Sequence, residues 1–168
     1  MLKTTPRSGR LIVSLAAVAV LVTAPGSRAQ QPAKAEQEVR DAVKQIVAAY
    51  AENDIEKYFS FYAPDMTVLR ATGRWTHQGY RDRWKQVVEG GGGVATADVV
   101  DLQVQVSPSG DSAVASYQMP VKPRYPNAEA AKGQAAQIIY YMTDVYFRRN
   151  GKWMIVHLHW TVQPPPRA

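Results

Sequence analysis

The hydrophobic positions of this chain change period twice. Leu11 to Val22 is apolar throughout apart from Ser14. From Glu36 the apolar residues Val39, Val43, Ile46, Val47 and Tyr50 recur at helical spacing, with Glu36, Glu38, Arg40, Asp41 and Lys44 on the remaining faces. This predicts an amphipathic helix ending near Glu52-Asn53. Asp54 is placed to cap a second, short helix with Ile55, Tyr58, Phe59 and Tyr62 inward, stopped at Pro64-Asp65. Met66 to Arg70 reads as a short strand, and Gly73 as a turn. A third helix is expected from Gln78-Gly79 to Glu89, with Tyr80, Trp84, Val87 and Val88 as its apolar stripe. Gly90 to Gly93 ends it; with no lysine and helix following, the run reads as a connector and not as a phosphate loop.

Beyond the glycines the period becomes two. Val100, Leu102, Val104 and Val106 alternate with Asp101, Gln103 and Gln105, as a half-buried strand does. A turn at Ser107 to Asp111 leads to a strand over Ala113 to Met119. Pro120 to Gly133 reads as a loop, Ala135 to Arg149 as a long strand, and Lys152 to Val162 as the last strand. Asn150-Gly151 between them is a strong hairpin signal. Pro164 to Pro166 closes the fold, because consecutive prolines cannot continue a ladder. The expected fold class is α+β, three helices with one short strand among them, then a four-stranded antiparallel meander with the helices on one face of a curved sheet.

The first apolar run changes how charge is read. Lys3, Arg7 and Arg10 precede it, no acidic residue occurs before Glu36, and Ser27-Arg28-Ala29 places small residues where a signal peptidase reads. The expectation is a signal peptide over residues 1–29, cut after Ala29, then a disordered linker over 30–35, a domain over 36–162 and a proline-rich tail over 163–168. The run is short for a membrane span of about 20 residues, so no stable anchor is expected after cleavage. Export to the periplasm or the medium follows. The chain has no cysteine, so neither a lipid anchor nor a disulfide is available. Four of its 20 basic residues lie in the leader, leaving 16 against 14 acidic ones. The basic excess is therefore a targeting feature and does not argue for nucleic acid.

The glycine-led third helix and the ending Val145-Tyr-Phe-Arg-Arg-Asn-Gly-Lys-Trp-Met-Ile-Val-His-Leu-His-Trp-Thr161 resemble the nuclear transport factor 2-like superfamily, over roughly Glu36 to Thr161. SnoaL-like cyclases, ketosteroid isomerases and scytalone dehydratase belong to it. The ending is most similar to the association domain of calcium/calmodulin-dependent protein kinase II. The resemblance implies a cone: a bent sheet around a deep pocket closed by helices, commonly dimeric through the sheet. It does not imply one activity, because this fold hosts many. The association domain has arginine where this chain has Asp144, so its anion-binding chemistry does not transfer at that position. Alternation then assigns faces. Met154, Val156, Leu158 and Trp160 are expected inside, with Trp153, Ile155, His157, His159 and Thr161 outside. The resemblance places Tyr140, Met142, Asp144 and Tyr146 toward the interior, with Tyr117 and Met119 beside them.

Three groups could carry chemistry. Asp144 stands mid-strand among tyrosines, where a carboxylate is either paired, with Arg83 or Arg124 for instance, exposed on the outer face, or shifted upward in pKa and suited to proton transfer. His77, beside Trp75, and Tyr140 are candidate partners in acid/base work. His157 and His159 share a strand face as metal ligands would, but a third ligand from His77 would be needed, with no nearby cysteine or obvious carboxylate, and packing is the stronger reading. Tyr62, Trp75, Trp84, Tyr117, Met119, Tyr146 and Trp160 are either an aromatic core or the lining of a ligand pocket. No nucleophile elbow, phosphate loop or dinucleotide fingerprint is present, so no metal or cofactor is expected. Two functions remain: a pocket for a small, largely apolar or aromatic molecule with cofactor-free acid/base chemistry (isomerase, cyclase or dehydratase type), or a non-catalytic association module.

Overall fold

The computed structural model describes residues 26–70 and 72–163, with side chains from Gln31 onward. Most of the expected leader and the triple proline lie outside the described residues. The elements in chain order are α1 (Gly26–Glu52), α2 (Ile55–Phe59), β1 (Tyr62–Arg70), β2 (Gly73–Thr76), α3 (His77–Glu89), β3 (Gly93–Ala97), β4 (Val100–Val106), β5 (Ser112–Arg124), α4 (Ala128–Ala131), β6 (Ile138–Arg149) and β7 (Lys152–Val162). The strands make one curled, unclosed sheet in the order β2-β1-β7-β6-β5-β3, with β4 also paired to β5. No helix among the described residues is long and apolar enough to cross a membrane.

The α+β class holds, and several boundaries move for identifiable reasons. Residues 30–35, expected as a disordered linker, continue α1. Ala35 completes the stripe of Val39 and Val43 at four-residue spacing and is as buried as they are. Asp54 does cap α2, accepting from the Lys57 amide, but the helix is a single turn. Tyr62 belongs to β1, opposite Ile155, and the irregularity between Tyr62 and Thr67 absorbs Pro64 and Asp65. Because β1 runs parallel to β7, the sheet is mixed and not purely antiparallel. The Pro120 to Gly133 segment is not all loop. β5 runs on to Arg124: Pro120 sits where β4 hands over to β3, and Pro123 lies beyond the last paired residue of β6, so neither missing N–H breaks a ladder.

Gly93 has φ 134°, and a Cβ there would stand 2.1 Å from the Asn53 Oδ1. Asn53 takes that space, accepting from the Val94 amide and donating to the Val94 carbonyl at 2.8 and 2.9 Å. The glycine run is thus a fixed turn against the end of α1. Asn150 and Gly151 both have positive φ, as the two-residue hairpin turn requires.

The largest correction concerns β7. Val145 pairs with His157, but Tyr146 pairs with Ile155, so Val156 is an extra residue. This bulge reverses the alternation. Beyond it Leu158 and Trp160 face inward, as expected; before it the inward residues are Trp153 and Ile155, not Met154 and Val156. Trp153 then reaches α1, where its indole donates to Glu38 at 3.0 Å, and Arg148 pairs with the same carboxylate. His157, His159 and Thr161 stay on the outer face with Thr143 and Tyr141.

The bulge generates a stability prediction. Ile155→Ala removes a fully buried side chain and costs about 2–5 kcal/mol, whereas Val156→Ala costs less than about 1.5 kcal/mol. Urea unfolding of the two variants checks this; equal losses would contradict the register.

Candidate functional site

The inner face of the sheet, α2 and α3 enclose two zones that differ in chemistry. The deeper zone is built on Asp144, 1% exposed, on the inner face of β6. Its Oδ2 accepts from Tyr117 at 3.0 Å and from Tyr146 at 3.3 Å; its Oδ1 has no partner among the described residues. Burial pushes the carboxyl up to about 7, against the two phenol hydrogen bonds that pull it down. No arginine reaches it, so the expected pairing with Arg83 or Arg124 is not formed; Arg124 instead donates to the Gly92 carbonyl. Nearby, Tyr62 donates to the Tyr58 phenol at 2.7 Å, and Tyr58 shares a hydrogen bond with Tyr80 at 2.8 Å. Burial raises all of these phenols, so they stay protonated at neutral pH.

The second zone is a cavity of about 330 Å³ between α3 and the ends of β1, β6 and β7. Its walls are aromatic: Tyr50 stacks on Trp84 at 4.8 Å, and Tyr80 tilts against Trp160 at 5.6 Å. Trp75, Tyr58, Tyr140, Met119 and Met142 line it as well. Arg70 and Arg83 supply its charge, and no carboxylate lines it. The guanidinium of Arg70 lies 4.5 Å from the Trp75 ring centre and 5.0 Å from that of Trp160. Burial raises the Tyr140 phenol, and the nearby Arg70 charge pulls the other way.

The structure therefore divides the residues singled out in the sequence. Trp75, Trp84, Met119, Tyr140 and Trp160 line the cavity, while Tyr62, Tyr117, Asp144 and Tyr146 belong to the closed zone behind Tyr58, Tyr80 and Met142. His77 joins neither. It opens α3 with its ring edge-on to Phe59 at 5.5 Å, its pKa lowered by burial and by Arg81. On the outer face His157 shares a 2.8 Å hydrogen bond with Thr67. No group of three metal-ligating side chains occurs among the described residues. Sequence reasoning missed Arg70 and named Arg83 only as a partner for Asp144. For Arg70 a signal existed: Met66, Val68 and Arg70 alternate on one face of β1, and an arginine on a buried face is a mark of function.

The buried carboxyl generates a pH prediction. Its pKa is raised on folding from 3.8 to about 7, so the stability it confers is complete below pH 4 and is lost as pH rises toward and through 7. Between pH 5 and pH 8 this amounts to about 3 kcal/mol. Asp144→Asn removes this pH dependence and makes the variant the more stable form at pH 8, as urea unfolding at the two pH values will show.

Comparison with known proteins adds the family. A family model described as "SnoaL-like domain" matches residues 39–163. No curated protein matches the chain. Among solved structures, an NTF2-like protein of unknown function from Pseudomonas putida is 19% identical, covering 77% of this chain and 87% of its own, with a TM-score of 0.62. A candidate scytalone dehydratase from Novosphingobium aromaticivorans is 11% identical, covering 81% and 89%, with a TM-score of 0.66. A candidate calcium/calmodulin-dependent protein kinase II association domain from Xanthomonas campestris is 20% identical, covering 76% and 87%, with a TM-score of 0.58. At these identities the likenesses show the fold. By the family match the chain belongs to the SnoaL-like domain family, and its fold is the one that the NTF2-like structures share.

Proposed function

We propose that this chain is an exported binding protein that holds one small, flat, largely apolar or aromatic molecule in the cavity between α3 and the sheet. The observation that carries this is the cavity wall, which sets stacked aromatic faces around a space of about 330 Å³. Ligand sites are mostly apolar and begin at about this size. Export rests on the leader of residues 1–29. The acid/base alternative is weaker on the same geometry. A proton-transferring group must come within hydrogen-bond reach of its substrate, and Asp144 lies behind a layer of phenols with no cavity-lining atom. Chemistry at Asp144 would require that layer to open.

Isothermal titration with 2-naphthamide, a neutral two-ring probe, tests the reading. Saturable one-site binding is expected, abolished by Val87→Trp, which fills the cavity from α3, and changed by less than about twofold in Asp144→Asn. Binding that Val87→Trp leaves intact would contradict the cavity; a large loss in Asp144→Asn would restore the acid/base reading.

A second reading concerns the outer face of the sheet. Leu69, Val114, Tyr141 and Phe147 are each 40–44% exposed there, on the side away from the helices. We infer that this face pairs with a second copy, since Val114, Val145 and Phe147 stand together on it and exposed apolar patches mark association surfaces. Light scattering at micromolar concentration should report a dimer, and the double variant Tyr141→Glu with Phe147→Glu a monomer. A monomeric wild type would contradict it.

A further inference from the structure

The cavity holds a cation with no carboxylate in its wall. Arg70 ends β1 on the inward side, in line with Met66 and Val68. Its neighbours follow from the pairing: Val68 stands opposite Trp75 on one side and Leu158 on the other, so the inward residues flanking Arg70 are Trp75 and Trp160. The guanidinium lies over both indoles. Four other arginines are paired with carboxylates, Arg40 with Glu36, Arg81 with Glu56, Arg148 with Glu38 and Arg149 with Asp65, and Arg124 donates to the Gly92 carbonyl; Arg74, which like Arg70 has no such partner among the described residues, lies on the outer face opposite Leu69. Arg70 has no ion pair and no hydrogen bond among the described residues, and the same is true of Arg83 across the cavity.

We propose that the ligand of this cavity is an aromatic anion, a planar one- or two-ring molecule bearing a carboxylate that Arg70 receives. This rests on the reading of the cavity as a ligand site and adds the class of molecule it takes. Stacking on indole uses the flat faces of a guanidinium and leaves its in-plane N–H donors free. Those donors form a planar fork that matches a carboxylate with two parallel hydrogen bonds. Indoles on either hand also hold the fork in place before the ligand arrives, which lowers the ordering cost of binding. With Arg83 as a second positive charge and no carboxylate in the wall, the field inside favours an anion and opposes a cation. Tyr140 offers a phenol donor at the same end. The stacked Tyr50 and Trp84 and the soft side chains of Met119 and Met142 are left for the ring. A neutral ligand of the same shape would bury Arg70 beneath an apolar ring with its donors unmet.

Titration of the full mature chain with 2-naphthoate and with 2-naphthamide, which share ring and size, decides the matter. The naphthoate is expected to bind about tenfold more tightly or better, with an affinity that falls as salt rises. Arg70→Gln is expected to erase the difference, and Arg70→Lys, which keeps the charge but not the fork, to restore only part of it. If the amide binds as tightly as the naphthoate, the anion inference is overturned and the cavity reading stands. If neither binds, both fall. The wild-type comparison alone gives the sign, so the result does not depend on Arg70→Gln folding.

Discussion

The architecture depends on a register fault of one residue in the last strand. β7 carries large side chains on both of its alternating faces: Trp153, Ile155 and His157 on one, Met154, Val156, Leu158 and Trp160 on the other. A regular strand could bury only one set. The bulge at Val156 changes face midway, so that Trp153 and Ile155 are buried on the inner face, Trp153 reaching Glu38 of α1, while beyond it Leu158 is buried and Trp160 lines the cavity. Bulges also bend and twist the strand that carries them, which fits a sheet that curls around its contents. Trp160 enters the cavity wall by virtue of this switch.

The contents are sorted by the cost of desolvation. A carboxyl at the centre of the inner face can neither be solvated nor, in the absence of a cation, be paired. It is instead held by phenols, with a pKa near neutrality, and a second set of phenols screens it from the cavity. The cation of the interior is kept apart, two strands away and one inward position further along β1 than Val68, against indole faces. Arg70 and Asp144 could have neutralised one another in a closed core. Their separation leaves a positive aromatic cavity on one side and a polar, sealed layer on the other. That arrangement suits capture of an anion better than proton transfer.

Much of this was legible in the sequence, and the failures have physical causes. The stripe of Val39, Val43, Ile46 and Val47, the Asp54 cap and the Asn150-Gly151 turn are local signals, and the structure realises each. The family ending gave the fold because it spans a whole hairpin. What failed needed non-local knowledge. A bulge leaves no local mark, since Val156 is as good a strand residue as its neighbours. Pro120 and Pro123 read as loop because only the ends of β4 and β6 explain why their nitrogens need no partner. Tyr62 reads as helical in sequence because Pro64 hides its pairing with Ile155. The aromatic residues of the site were found as a set, yet which line the cavity and which fill the core depends on depth, and alternation reports only the face. Arg70 shares the parity of Met66 and Val68, which is a local signal of its inward position.

Recognition on this basis depends on the separation of a cation held against indoles from a sealed carboxyl. A crystal structure of the protein grown with 2-naphthoate tests it most directly. The account predicts the ring within the cavity against Tyr50 and Trp84, its carboxylate on the Arg70 guanidinium between Trp75 and Trp160, and Asp144 still hydrogen-bonded to Tyr117 and Tyr146. A ring bound elsewhere, a carboxylate turned away from Arg70, or a ligand in contact with Asp144 would contradict it.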